Sequence, residues 1–383
     1  MKYFRFAAKY VLLPLALVFT GALLSAGYLI KTSKDLGGDA IWFDTPRGLD
    51  AVHNLVLGDA EQFVRIRSRN RDNPVLLELH GGPGSPTSSL THRNRRPLTE
   101  YFTLVEWDQR GAGRSEGDKS LIGTMSYDRM VDDTIELIEF LQQELDTDKV
   151  ILLGHSWGSM LGLGVIRKGP DLIYAYVGVG QALAWPAGFD ETKRLVIKSA
   201  KENGDINTVE KLEALPEEWP PREDVDGLLE RIAIIQSPLT PYGTSLHASR
   251  SRDIFRSELM LDAATSPDIG VIESLGLLEL SDATKALIAD LYNRDLRTDL
   301  GTDYAVPMFI FQGEHDWQTP TTLVKPWFES LSAPQKVYVS FEHSAHFVMT
   351  AESGKYLYEL IDQVRPLAMK VSVLSTEVEQ PAN

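Results

Sequence analysis

Six short apolar runs recur along this chain: Val75 to Leu79, Thr103 to Trp107, Val150 to Leu153, Ala175 to Val179, Val306 to Phe311 and Lys336 to Phe341. They are continuous rather than alternating, so each reads as a strand covered on both faces. Between the second and third, Val131, Ile135, Ile138, Leu141 and Leu145 form one apolar stripe at helical spacing, opposite Asp132, Asp133, Glu136 and Glu139. Strands alternating with helices imply an α/β protein with a mostly parallel sheet. Residues 52–68 add a hairpin, His53 to Leu57 and Gln62 to Arg67 about a turn at Gly58-Asp59, which makes eight strands and opens the sheet antiparallel. The strand rhythm stops after Gln181 and returns at Val306. The roughly 120 residues between are rich in helix formers and acids and are broken at Trp185-Pro186, Trp219-Pro220-Pro221 and Ser237-Pro238. They read as an inserted helical cap above the carboxyl edge, where ligands bind in open α/β sheets. The expected organisation is a first core part over 40–181, a cap over 182–303, a second core part over 304–371 and a tail without periodicity over 372–383.

Residues 1–34 stand apart. Val11 to Ile30 is a run of 20 residues without charge, enough at about 1.5 Å per residue to cross a hydrocarbon core of about 30 Å. The same run also suits a signal peptide, because Ser25-Ala26-Gly27 supplies a small-x-small pattern after 14 apolar-rich residues. An uncleaved anchor and a cleaved signal thus stay open, and both export the globular part. Lys2, Arg5 and Lys9 precede the run while Lys31 and Lys34 follow it, which places the N-terminus in the cytoplasm.

Charge and cysteine content exclude several classes. The net charge is −16 overall and +5 over residues 1–34, leaving −21 on residues 35–383, so nucleic acid is excluded as a partner. With no Cys in 383 residues, disulfides, thiolate catalysis and zinc-thiolate sites are excluded too.

The run ending at Leu153 leads into Gly154-His155-Ser156-Trp157-Gly158 and then a helical segment. A Ser on a sharp strand-to-helix turn lifts its hydroxyl above the sheet edge, and small residues two before and two after let backbones pass closely. Such a nucleophile needs a base, an acid to orient the base, and donors for an oxyanion. Asp316 follows the run Val306 to Phe311, and His346 follows the run Lys336 to Phe341. The order Ser156, Asp316, His346 is the one a strand-turn-helix nucleophile requires. Glu314 competes for the acid, and helix capping near Pro320 competes for Asp316 itself. His343 competes for the base; His346 is preferred because Phe347-Val348-Met349 can lock its ring against the core. His80-Gly81-Gly82-Pro83-Gly84, after the run Val75 to Leu79, is a loop whose backbone N–H groups can face the site. The N–H groups of Gly82 and Trp157 are the expected oxyanion donors.

His80 to Gly84, Asp108-Gln109-Arg110-Gly111-Ala112-Gly113-Arg114-Ser115 and Ser156-Trp157-Gly158 together resemble the proline iminopeptidase group of α/β-hydrolases. The likeness spans residues 50–181 and 306–355 and omits the cap. It implies an α/β-hydrolase fold, with Ser156 as nucleophile, Asp316 and His346 as its partners and Gly82 with Trp157 as the oxyanion hole. Arg110 and Arg114 read as structural. His155 stands where members of that group often have Gly, and the resulting pentapeptide is widespread among esterases. An aminopeptidase also needs cap carboxylates to hold a free amine, and Glu191, Glu202, Glu210, Glu217, Glu218, Glu230 and Glu258 are all available.

The leading expectation is a serine hydrolase releasing N-terminal residues from short peptides through an acyl-enzyme, with no metal or organic cofactor. A carboxylic-ester or other amide hydrolase of the same fold is the alternative. A catalytically silent fold used for binding at a membrane is the third reading.

Overall fold

A computed structural model describes residues 13–40, 43, 45–89, 95–117, 119–239, 242, 264–269 and 280–369. Eight strands form one sheet: β1 (Leu49–Leu57), β2 (Ala60–Ser68), β3 (Val75–Leu79), β4 (Thr103–Trp107), β5 (Val150–His155), β6 (Ile173–Val179), β7 (Met308–Gly313) and β8 (Lys336–Phe341), in the order β1-β2-β4-β3-β5-β6-β7-β8. β1 and β2 pair antiparallel, β2 joins β4 antiparallel, and every later pair is parallel. The expected mostly parallel sheet of eight strands is therefore found.

Side-chain alternation explains why the central runs had no polar side. Val75, Leu77 and Leu79 of β3 and Val150 and Leu152 of β5 enter one apolar cluster, while Leu76, Ile151 and Leu153 enter another on the opposite face. The first face is covered by α2 (Tyr127–Leu145) and α3 (Trp157–Lys168), whose Val131, Ile138, Leu141, Met160 and Leu161 are buried there. Phe102, Tyr356, Leu360 and Val364 cover the other.

One residue of α2 departs from expectation. Asp133, read as part of the helix's polar face, is fully buried. Both of its oxygens face the guanidinium of Arg110, at 2.6 and 3.0 Å, so this side of α2 meets the β1–β2 hairpin rather than solvent.

Between β6 and β7 lie α4 (Ala187–Glu202), α5 (Ile206–Glu213), α6 (Val225–Gln236), α7 (Asp282–Asp290) and α8 (Leu296–Asp299). Phe189, Val196, Leu212, Ile235 and Leu239 give this insertion an apolar cluster of its own. The chain returns to the sheet through β7, α9 (Thr321–Ser330) and β8, and then forms α10 (Val348–Ala351) and α11 (Ser353–Glu359).

The N-terminal segment is a 28-residue helix, α1 (Leu13–Ala40), that continues past the apolar run. Lys34 Nζ donates to the carbonyls of Ser266, at 2.6 Å, and Ile269, which docks the polar end of α1 on the insertion. Among the described residues no helix is long and apolar enough to cross a membrane. The expected membrane-crossing or signal segment over 1–34 therefore gains no support from the fold: its first residues fall outside the description, and the described end is charged and docked. The tail over 372–383 and Glu258 also lie outside the described residues.

Candidate active site

Ser156 sits between β5 and α3 at φ 54° and ψ −121°, a strained conformation for a residue with a Cβ that costs about 1–3 kcal/mol. Two glycines make the turn feasible. A Cβ on Gly154 would lie 2.3 Å from the Gly158 carbonyl oxygen, and one on Gly158 would lie 2.0 Å from the Leu79 carbonyl oxygen. Ser156 N–H donates to the Val179 carbonyl at 2.9 Å, tying the turn to the end of β6. As the first residue of α3, Trp157 has an N–H with no acceptor inside the helix.

Asp316 and His346 meet at the same edge. His346 Nδ1 lies 2.9 Å from Asp316 Oδ2, and both side chains are fully buried. That contact makes Nδ1 the protonated nitrogen and leaves a lone pair on Nε2. Nε2 is buried and has no hydrogen-bond partner among the described residues. Asp316 is held from several sides. Oδ1 accepts the N–H groups of Gln318 and Thr319, each at 2.9 Å, while Oδ2 also accepts Gln312 Nε2 at 3.0 Å and Thr319 Oγ1 at 2.7 Å. The helix after Pro320 begins without a side-chain cap, so the capping role weighed against Asp316 is not what it does: its Oδ1 holds the turn at Gln318 and Thr319, and its Oδ2 faces His346. The rivals sit elsewhere: Glu314 is exposed and accepts Ser340 Oγ, and His343 is exposed with its N–H on Glu352.

Gln312, Thr319 and Gly180 escaped sequence reasoning. A Gln closing the apolar strand Met308 to Gly313 was the available signal, because a polar side chain buried there must find partners. Its Oε1 accepts the Gln181 N–H at 2.9 Å, joining β7 to the segment after β6. Gly180 is a matter of space, since a Cβ there would lie 2.9 Å from His346 Nδ1.

The loop from His80 is braced by the motif that follows β4. Gln109 N–H donates to His80 Nε2 at 3.2 Å, Gln109 Nε2 donates to the His80 carbonyl at 3.2 Å, and Trp157 Nε1 donates to Gln109 Oε1 at 2.9 Å. Burial lowers the His80 imidazole to about 4, so the ring is neutral at neutral pH and accepts at Nε2. Gly82, Ser156 and Trp157 line one open cavity. Its other walls include Trp185, Phe189, Gln236, Gln318 and Leu323, and no Asp or Glu is among the described residues lining it. Glu191 instead binds Arg194 and Thr322. No group of side chains among the described residues could hold a metal ion.

The α/β-hydrolase fold family matches residues 74–207. The protein named "Probable aminopeptidase YbaC" in Bacillus subtilis (strain 168) is 30% identical over 301 residues, covering 78% of this chain and 92% of that protein. The chain belongs to the α/β-hydrolase family. Within it the expected likeness to the proline iminopeptidase group holds: a proline iminopeptidase of Heyndrickxia coagulans is 25% identical over 313 residues, 79% of this chain and 94% of that protein. Among solved structures, a proline iminopeptidase-related protein from Thermus thermophilus superposes with a TM-score of 0.59 at 20% identity, covering 84% and 99% of the two chains, a likeness of fold. The chain is a hydrolase.

Proposed function

We propose that this hydrolase is a serine aminopeptidase that releases N-terminal residues from short peptides. The observation that carries the chemistry is the buried His346 ring, with Nδ1 on Asp316 and a free lone pair on Nε2, at the edge that bears Ser156. In this reading Ser156 Oγ attacks the scissile carbonyl while His346 Nε2 takes its proton. Asp316 keeps the tautomer and stabilises the imidazolium that forms. The Gly82 and Trp157 N–H groups receive the oxyanion, His346 then protonates the leaving amine, and water hydrolyses the acyl-enzyme. The peptide assignment draws on the named aminopeptidase and proline iminopeptidase relatives.

A second reading, an ester or other amide hydrolase, is favoured by the cavity. An amino-terminal ammonium calls for a carboxylate, and the described lining offers glutamine amides and aromatic rings. Turnover of prolyl- and alanyl-arylamides, their N-blocked forms and short acyl esters, with Ser156→Ala as blank, separates the two. The aminopeptidase reading expects free-amine substrates to be cleaved at least about tenfold faster than blocked ones. Equal cleavage of both sinks it in favour of the second reading.

Residues 1–34 are assigned as the membrane attachment, with the catalytic domain on the exported side. Supporting this are the uncharged run Val11 to Ile30 and, on α1, Leu24, Tyr28 and Leu29, which are 64 to 71% exposed. The full chain is expected to stay with membranes through an alkaline carbonate wash and to be cut by protease added to intact cells. Release into the wash, or protection from the protease, contradicts the assignment.

A further inference from the structure

The triad leaves one residue of the serine turn unused. His155 Nε2 lies 3.1 Å from the carbonyl oxygen of His346, and the ring centroids of the two histidines are 4.8 Å apart. The His155 ring also lies 5.3 Å from that of Phe347. A carbonyl oxygen only accepts, so this contact requires the Nε2–H tautomer of His155. Its Nδ1 then carries the lone pair and faces Gly81, where a Cβ would stand 3.2 Å from it. Burial, and next the neighbouring His346, hold the His155 imidazole well below its usual value. The neutral donor form therefore persists at neutral pH.

We propose that His155 is a positioning residue whose Nε2–H fixes the His346 backbone and so aims the His346 ring at Ser156. The inference rests on the triad reading above. His346 follows β8 on a connecting segment, and its ring is held at Nδ1 by Asp316 and Thr319. A hydrogen bond at Nδ1 leaves the ring free to pivot, and a pivot or a small backbone shift displaces Nε2. The bond from His155 removes that slack from the backbone side, and the neighbouring ring, tilted 43° to it, limits the pivot. Because His155 and Ser156 are consecutive residues of one rigid turn, nucleophile and base then share a frame. A glycine at this position has neither donor nor ring.

Two variants separate the donor from the ring. His155→Phe keeps an aromatic face against His346 and Phe347 but removes the donor. His155→Gln keeps an N–H at the same reach from Cβ without the ring. In the full chain, His155→Phe is expected to lower kcat about 10- to 100-fold while KM stays within about twofold, because misaiming a base harms the transition state more than binding. His155→Gln is expected to recover kcat to within about threefold of wild type. Thermal unfolding of both variants checks that they fold. Wild-type kcat in the Phe variant, or equal losses in Phe and Gln, overturns the inference. The wild-type protein with 15N-labelled histidine supplies a reading that needs no variant: His155 is expected as the neutral Nε2–H tautomer at neutral pH, and the Nδ1–H tautomer overturns the proposal. Ser156→Ala, run beside them, tells the two failures apart. If it keeps its turnover, the triad reading falls and the inference with it; if it loses turnover while Phe matches wild type, only the inference falls.

Discussion

Asp316→Asn is expected to lower kcat about 10⁴-fold with a much smaller change in KM. The size follows from the surroundings of the carboxylate. Both oxygens are enclosed by donors: Gln318 N–H and Thr319 N–H on Oδ1, and Gln312 Nε2, Thr319 Oγ1 and the His346 Nδ1 proton on Oδ2. An amide in this place has one oxygen and one NH2 group, so either orientation turns an N–H against existing donors. With the NH2 toward His346, the imidazole must present a lone pair at Nδ1 and carry its proton on Nε2, which removes the proton acceptor that the proposed mechanism needs. With the NH2 on the other side, two backbone N–H groups of the turn lose their acceptor, at about 1–3 kcal/mol for each buried donor. In the proposed mechanism the first orientation destroys catalysis, and the second loosens the turn that holds Asp316. Steady-state kinetics on the best substrate of the panel, with the rate of Ser156 labelling by a fluorophosphonate, checks this. A loss of less than about tenfold in both would remove Asp316 from the triad.

Much of this site was legible because each element leaves a local mark. The ends of β3, β4 and β8 coincide with runs dominated by apolar residues: β3 and β4 are buried throughout, with Glu78, Thr103 and Glu106 as their polar members, while β8, at the edge of the sheet, keeps the run although Lys336 is exposed. Ser156 was legible from its glycines, which the structure accounts for by backbone approaches of 2.0 and 2.3 Å. Asp316 and His346 were legible from chain order, because the strands that bear them end at the same edge. The cavity was not. Its walls come from residues 181–189, from Gln236 and from residues 318–324, three segments far apart in sequence. Only tertiary packing decides which side chains of the amphipathic insertion face inward. Asp133 was misread for a related reason: helical periodicity sorts side chains by face but does not say that a polar face will meet another part of the chain. The sequence did hold a clue, in that an Arg-rich motif placed just after a buried strand needs a buried carboxylate.

That clue sets the largest stability effect. Asp133→Ala is expected to lower the unfolding free energy by about 3–5 kcal/mol, because it leaves the fully buried Arg110 guanidinium without its counter-charge. Arg110 Nε and one terminal nitrogen face the two oxygens of Asp133 at 2.6 and 3.0 Å, and that same terminal nitrogen reaches the carbonyls of Leu57 and Gly58 at 2.8 and 2.6 Å. Asp133 further accepts Gln62 Nε2 at 2.9 Å and Arg129 Nε at 2.8 Å. One carboxylate thus joins α2, the turn of the β1–β2 hairpin and the motif after β4 that braces the His80 loop through Gln109. Removing it strands a cation whose remaining partners are neutral oxygens, and it leaves the Gln62 side chain, which holds Trp107 Nε1 at 3.0 Å, with only the Leu57 carbonyl as acceptor for its Nε2. The loss therefore exceeds what an exposed pair would give, which is about 0–1 kcal/mol. Replacing both partners together, Asp133→Leu with Arg110→Met, should recover most of the stability, because two apolar side chains of similar volume need no counter-charge. Urea unfolding of the three proteins measures this. A loss below about 1 kcal/mol in Asp133→Ala would show that water reaches Arg110, and a double variant no better than the single would show that the hydrogen bonds to Leu57, Gly58 and Gln62, rather than the buried charge, hold this corner together.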